Sequence, residues 1–349
     1  MNKLSDYTDY VEEKIANVLL TNKTYVGVDN LLPNRGGVKT SSYKPDEGAS
    51  IKFKKNDILI GNIRPYFKKI WLATFDGGCS SDVLCIRPKK QEYSKYLYCV
   101  LSQDSFFDYD MAGSKGSKMP RGDKNHIMNF PVEIINDYKK IGNILFDIDA
   151  QIKRNNDMVQ KLQVLTHNTF DYFSKHYNNN KITLNDIIIE NNKSRIQVNN
   201  VINGFGDIPF FTSGESILYT NQSLANGFNI FLSTGGNAKV QSYYGDVSYS
   251  TDTWCITSKN NLQYYLYEYL KHIESQMDRL YFHGTGLKHL QKPLFLKSVI
   301  DVPSDNIVQK FNSIVEPIYI QTSKMLQSNL KLQKLKEKLL PLLINQQLS

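Results

Sequence analysis

Along residues 141–162, the positions Ile141, Leu145, Ile148, Ile152, Asn155, Val159 and Leu162 follow alternating spacings of four and three, and all but one are apolar. This is the seam of a coiled-coil helix. A second seam runs through Phe311, Val315, Ile318, Thr322, Met325, Asn329 and Leu332. After Gly142 and Pro317 no Gly or Pro interrupts either run until Pro341, so each continues as helix for most of its length. Each seam carries one amide, Asn155 or Asn329, the kind of polar residue that fixes register at some cost in stability. The pattern therefore predicts long helices over 136–178 and 304–349, paired antiparallel. The alternative is that each helix packs only on its own domain.

The segments before these helices have a different pattern. Asp57-Ile-Leu-Ile-Gly61 and Asp82-Val-Leu-Cys-Ile-Arg87 are short apolar runs separated by Gly77-Gly78, as strands joined by turns would be. Similar runs occupy 182–189 and 228–257, with turn points at Gly235-Gly236 and Gly245-Asp246. Helices are expected around 94–107 and 262–280. The fold class predicted is α+β, with mixed domains over 1–135 and 179–303, each followed by one long helix.

The two halves also match in sequence. At an offset of 170, eight identities fall in the 26 positions from 140 to 165, among them Gln151/Gln321 and Leu162/Leu332. Chance would give about two on typical residue usage. The same offset aligns Asp82 with Asp252, Cys85 with Cys255, Ile86 with Ile256, Gly116 with Gly286 and Lys118 with Lys288. Residues 1–75 match poorly, so each half reads as a variable front and a well-matched tail.

Composition narrows the class. Lys and Arg outnumber Asp and Glu by 42 to 34, a balance that favours an anionic partner. The first 21 residues carry Asp6, Asp9, Glu12 and Glu13, unlike a signal peptide, and no apolar run reaches the roughly 18 to 20 residues of a membrane span. A cytoplasmic protein is expected. The four cysteines, with no CxxC pair, read as buried free thiols.

Catalytic patterns are missing. There is no Asn/Asp-Pro-Pro-Tyr for amino-group methylation, no P-loop, no dinucleotide fingerprint and no nucleophile elbow. Glu12-Glu13-Lys14 is the nearest approach to a nuclease motif and reads as a solvated face. The histidines at 126, 167, 176, 272, 283 and 289 have no spacing suited to joint metal binding, so no metal site is expected.

Basic residues instead gather in segments with loop chemistry. The run at 62–69 contains Asn62, Arg64, Tyr66, Lys68 and Lys69. Arg reads guanine and Asn adenine bidentately in a major groove, while Lys meets phosphates. The run at 113–122 adds Lys115, Lys118 and Arg121 among glycines and hydroxyls. In the second half the equivalents are 233–239, with Thr234, Asn237 and Lys239, and the segment 284–288 with Lys288. Any one of these charges is as readily explained as a solubilising residue. Together they define candidate DNA contacts.

With Asp57-Ile-Leu-Ile-Gly-Asn-Ile-Arg-Pro-Tyr66, the two Gly-Lys loops at 116–118 and 286–288, and the matched tails 148–165 and 318–335, the chain resembles the specificity subunit of type I restriction-modification enzymes. The first domain departs from the pattern: it shows no clear equivalent of the opening strand 182–187. The resemblance implies two target-recognition domains, each reading one half of a split duplex DNA target. It also implies spacer helices that set the gap between halves and dock modification subunits, two in number by the family's layout, with restriction subunits as further partners. No cofactor is expected on this chain; S-adenosylmethionine, ATP and Mg would belong to the partner subunits. The alternatives are a specificity subunit of another modification system such as type IIB, a nuclease acting alone, or a coiled-coil scaffold that binds protein.

Overall fold

The computed structural model describes residues 2–116, 118–177, 179–201, 206–214 and 217–344. Ser117, within the first Gly-Lys loop, and residues 345–349 of the expected last helix lie outside the described residues. The chain divides into two units, one formed by Met1–Ala150 with Lys336–Ser349 and the other by Gln151–Leu335.

In the first unit, β1 (Thr8–Tyr10), β2 (Ile58–Gly61), β3 (Ile70–Leu72) and β4 (Val83–Pro88) form an antiparallel sheet in the order β1-β4-β2-β3. The strands read as apolar runs because both faces of the sheet are covered. Ile58 and Ile60 join a core with Leu84, Ile86 and the helix Ser94–Leu101, while Leu59 and Cys85 face a second core around Phe53 and Trp71. That second core lies against another four-stranded sheet built from Lys14–Ala16, Ala49–Phe53, Gly77–Cys79 and Tyr25–Val26. Asp57, 2% exposed, locks the turn before β2: its carboxylate accepts from the Lys54 amide at 2.7 Å and from Arg87 at 2.8 and 2.7 Å.

The second unit repeats this plan. β5 (Ile188–Glu190), β6 (Phe228–Ser233), β7 (Val240–Tyr244) and β8 (Thr253–Ser258) take the order β5-β8-β6-β7, again antiparallel. Leu59 pairs with Cys85 in one sheet and Phe231 with Cys255 in the other, so the cysteines aligned by the 170-residue offset hold equivalent places. All four cysteines are free and buried. The fold is α+β, as expected.

One expectation is corrected. Residues 1–24 do contain the domain opening that the sequence hid. The short helix Leu4–Tyr7 leads into β1 as Leu184–Ile187 leads into β5. The Leu4 amide bonds Phe130 O and the Leu184 amide bonds Ser298 O, both at 2.9 Å. The segment 182–187 is accordingly the end of a strand, Asn179–Thr183, followed by a helical turn.

The long helices span Tyr138–His176 and Asp305–Ile344. Ile141 and Leu145 pack into the first unit's core, Phe311 and Val315 into the second's. Within the second unit the helices run antiparallel: the Phe173 and Phe311 rings lie 5.5 Å apart, and Asn155 Nδ2 donates to Asn329 Oδ1 at 2.7 Å. Of the remaining seam positions, Ile148, Val159 and Thr322 are buried, while Ile152, Leu162, Ile318, Met325 and Leu332 are half-buried. Among the described residues no helix is long and apolar enough to cross a membrane.

Candidate nucleic-acid interface

In the first unit the two basic segments expected to bind DNA meet on one surface. Beyond β2, the Asn62 amide bonds Asp82 O at 2.9 Å, the Gly122 amide bonds Asn62 O at 3.3 Å, and the Arg64 amide bonds Pro120 O at 2.8 Å. Lys115 and Arg121 close the loop with reciprocal backbone bonds of 3.0 and 2.9 Å. Gly122 is required by close approach: a Cβ there would stand 2.3 Å from Asp110 Oδ1 and 2.9 Å from Asn62 Oδ1.

The same ladder recurs in the second unit. The Thr234 amide bonds Asp252 O at 3.0 Å, the Leu290 amide bonds Thr234 O at 3.0 Å, and the Gly236 amide bonds Lys288 O at 2.9 Å. Asn62 and Thr234 thus stand in equivalent places, as do Arg64 and Gly236. Both of the latter are left-handed, with φ of 53° and 80°. Glycine adopts that conformation without penalty, whereas a side-chain-bearing residue pays roughly 1 kcal/mol or more. Arg64 is strained where the other unit has glycine, and such strain gathers at functional positions.

The side chains around this ladder are held in several ways. Arg64 and Lys68, both left-handed, flank the single 3-10 turn Pro65–Phe67 and lift Tyr66 and Phe67 outward, 46% and 38% exposed. The Arg64 Nε has no hydrogen-bond partner. Lys68 pairs with Asp104 at 2.6 Å, and Arg35 pairs with the same carboxylate, so the lysine first and the arginine second hold it below the usual carboxylate range. Lys69 Nζ donates to Val28 O at 2.7 Å. Lys115, 82% exposed at its side chain, pairs with Asp123 at 2.7 Å. That bond, joined by the His126 amide, draws the Asp123 carboxyl down to about 2. Arg121 lies 3.2 Å from Asp82, and Lys118 is exposed.

In the second unit Thr234 Oγ1 donates to Asp252 O at 2.8 Å, Asn237 is exposed, and Lys239 Nζ donates to Gly214 O at 2.9 Å. Lys288 pairs with Asp278 at 3.0 Å; the Ala238 amide, and then this lysine, lower the Asp278 carboxyl. Exposed ion pairs of this kind contribute only about 0–1 kcal/mol, so an incoming phosphate can displace them. The acids Asp104, Asp123 and Asp278, which preset the basic loops, carried no motif in the sequence; only their spatial neighbours reveal them.

The histidines have no sequence spacing suited to joint metal binding, but sequence spacing does not measure distance between helices. His167 and His272, 105 positions apart, come together with Asp171, their donor atoms lying within 4.8 Å of one another.

Residues 177–334 match the model of the family described as Type I restriction modification DNA specificity domain. Over 126 residues, 34% of the chain, it is 26% identical to the Type I restriction enzyme EcoDI specificity subunit of Escherichia coli. That match covers 28% of the relative's length, so the chain spans little more than a quarter of it. The fold is similar to the crystal structure of a type I restriction-modification S subunit from M. genitalium, with a TM-score of 0.66 at 14% identity over 97% of this chain and 94% of that one. The family match lies within the second unit and covers a little under half of the chain. The resemblance read from the sequence is borne out: the chain has the fold of a type I specificity subunit.

Proposed function

We propose that this chain is the DNA-specificity subunit of a type I restriction-modification system, in which each unit reads one half of a split duplex target. The observation that carries this is the recurrence of one ladder, 62–64 with 120–122 and 234–236 with 288–290, at the equivalent edge of both units. Beside each ladder stand side chains of types suited to base edges, Arg64 in one and Thr234 and Asn237 in the other, with lysines suited to phosphates, whereas Asn62 turns its Oδ1 inward, where it is buried without a hydrogen-bond partner. The chain recognises DNA without transforming it. Adenine methylation belongs to modification subunits that bind S-adenosylmethionine, and ATP-driven cleavage to restriction subunits with Mg. The antiparallel helices are the docking surface and the spacer. The site of action is the cytoplasm, where the DNA lies.

Reconstitution tests this reading. The purified chain should transfer no methyl group from S-adenosylmethionine to DNA, and sequence-specific adenine methylation should appear once modification subunits are added. In the reconstituted complex, Lys118→Ala should weaken binding to all sequences and reduce the salt slope by about one unit. Arg64→Ala should instead relax one base position, at a cost of roughly 1–3 kcal/mol. Robust methylation by the chain alone, or a complex whose DNA binding is indifferent to salt and to both variants, would overturn the proposal.

A further inference from the structure

We propose that His167, Asp171 and His272 form a binding site for one divalent transition-metal ion of the zinc type, clasping the central helix to the helix Gln263–His272 within the second unit. The site is separate from the DNA-reading ladder and does not depend on it.

The helices set the geometry. His167 and Asp171 are one turn apart on the central helix and share a face. His272 ends the facing helix, and Glu268 lies one turn before it. Asp171 Oδ1 is the common neighbour, 3.9 Å from His167 Nε2 and 3.7 Å from His272 Nδ1. The two imidazole rings stack with centroids 5.5 Å apart and planes 26° from parallel. Nitrogen and oxygen ligands about 2.0–2.2 Å from zinc stand roughly 3.4 Å from each other in a tetrahedron. The observed separations exceed this by a few tenths of an ångström at the acid. Small side-chain rotations close the gap, and all three side chains have room to make them, being 37%, 31% and 50% exposed.

A buried carboxylate supplies the second observation. Glu268 is only 2% exposed, yet its Oε2 lies 3.3 Å from His167 Nδ1, and its Oε1 accepts from the buried Tyr319 hydroxyl. With its proton on Nδ1 and donated to Glu268, the His167 ring presents the lone pair of Nε2 toward Asp171 and His272. This carboxylate–histidine relay is the support that metal-ligating histidines usually have, and it fixes the tautomer and ring orientation. Lys175 approaches the other oxygen, Oδ2, of Asp171 at 3.9 Å, leaving Oδ1 for the ion. Two imidazoles and one carboxylate favour zinc, cobalt or nickel over magnesium or calcium, whose sites are built from oxygen. Partial exposure leaves the fourth position to water.

The test is titration of the full-length chain, freed of metal by chelation and desalting, with Co²⁺ followed by displacement with Zn²⁺. One equivalent of Co²⁺ per chain should give the visible d–d bands of tetrahedral cobalt, and one equivalent of Zn²⁺ should remove them. His272→Ala, at a half-exposed helix end, should abolish the bands while keeping the wild-type circular dichroism. Glu268→Gln should bind the same single equivalent about 10- to 100-fold more weakly. His283→Ala, a histidine outside the site, should titrate as wild type. No saturable Co²⁺ signal in the wild type, or an undiminished one in His272→Ala, would overturn the proposal.

Discussion

Asp110 lies directly beneath the first unit's ladder, fully buried, and neither carboxylate oxygen has a hydrogen-bond partner. Burial raises its pKa from the usual 3.8 to about 6, with His126 pulling weakly the other way. The native state therefore keeps a proton that the unfolded chain releases between these values, so stability falls as pH rises through that window. Above it the penalty is at most about 3 kcal/mol, at 1.36 kcal/mol per unit. Asp110→Asn should raise the melting temperature at pH 7.5, with a gain that shrinks as melts are repeated down to pH 4. An equal effect at every pH would show that the carboxyl does not titrate in this range. Nothing in the sequence marked Asp110, because an acid on a helix reads as solvated until its neighbours are known. For the same reason the cations at 62–69 were legible as a group but not individually: the sequence could not show that Lys69 reaches the carbonyl of Val28 while Lys68 pairs with Asp104.

At the scale of elements, the heptad pattern identified both helices, and the structure joins their two seam amides to each other. Asn155 donates to Asn329 at 2.7 Å, Asn329 donates to Asn156 at 2.8 Å, and Gln151 donates to Asn155 at 2.8 Å. Replacing one member leaves a buried polar group unpaired, at about 1–3 kcal/mol, whereas replacing both with an apolar residue can be nearly neutral. Asn155→Leu and Asn329→Leu should each lower the unfolding midpoint in urea, and the double variant should recover most of the loss. Additive losses in the double variant would mean that the two amides do not form a unit. The opening of the first domain was not legible for a specific reason. Leu4 and Asp6 match Leu184 and Asp186 at an offset of 180, so a comparison at 170 passes over them. In the structure the matching turn is fixed by Lys3 N to Asp6 at 2.7 Å and by Thr183 Oγ1 to Asp186 at 2.6 Å.

For the molecule as a whole, the 170-residue repeat foretold the architecture because it survives where the two sheets and the two helices must pack alike. Cys85 and Cys255, and Ile86 and Ile256, occupy matching strand positions. It did not reveal the metal-type cluster, which joins residues of one helix to those of another and has no counterpart in the repeat register. The account's central claim is that each unit reads its own half of one split target. The direct measurement is methylation mapping in cells that carry the modification subunits and either the native chain or one in which residues 179–303 are exchanged for the equivalent segment of another specificity subunit. The account predicts a bipartite adenine-methylated sequence in which only one half changes with the exchange, while the other half stays as in the native pattern. A change in both halves, or an unchanged motif, would contradict it.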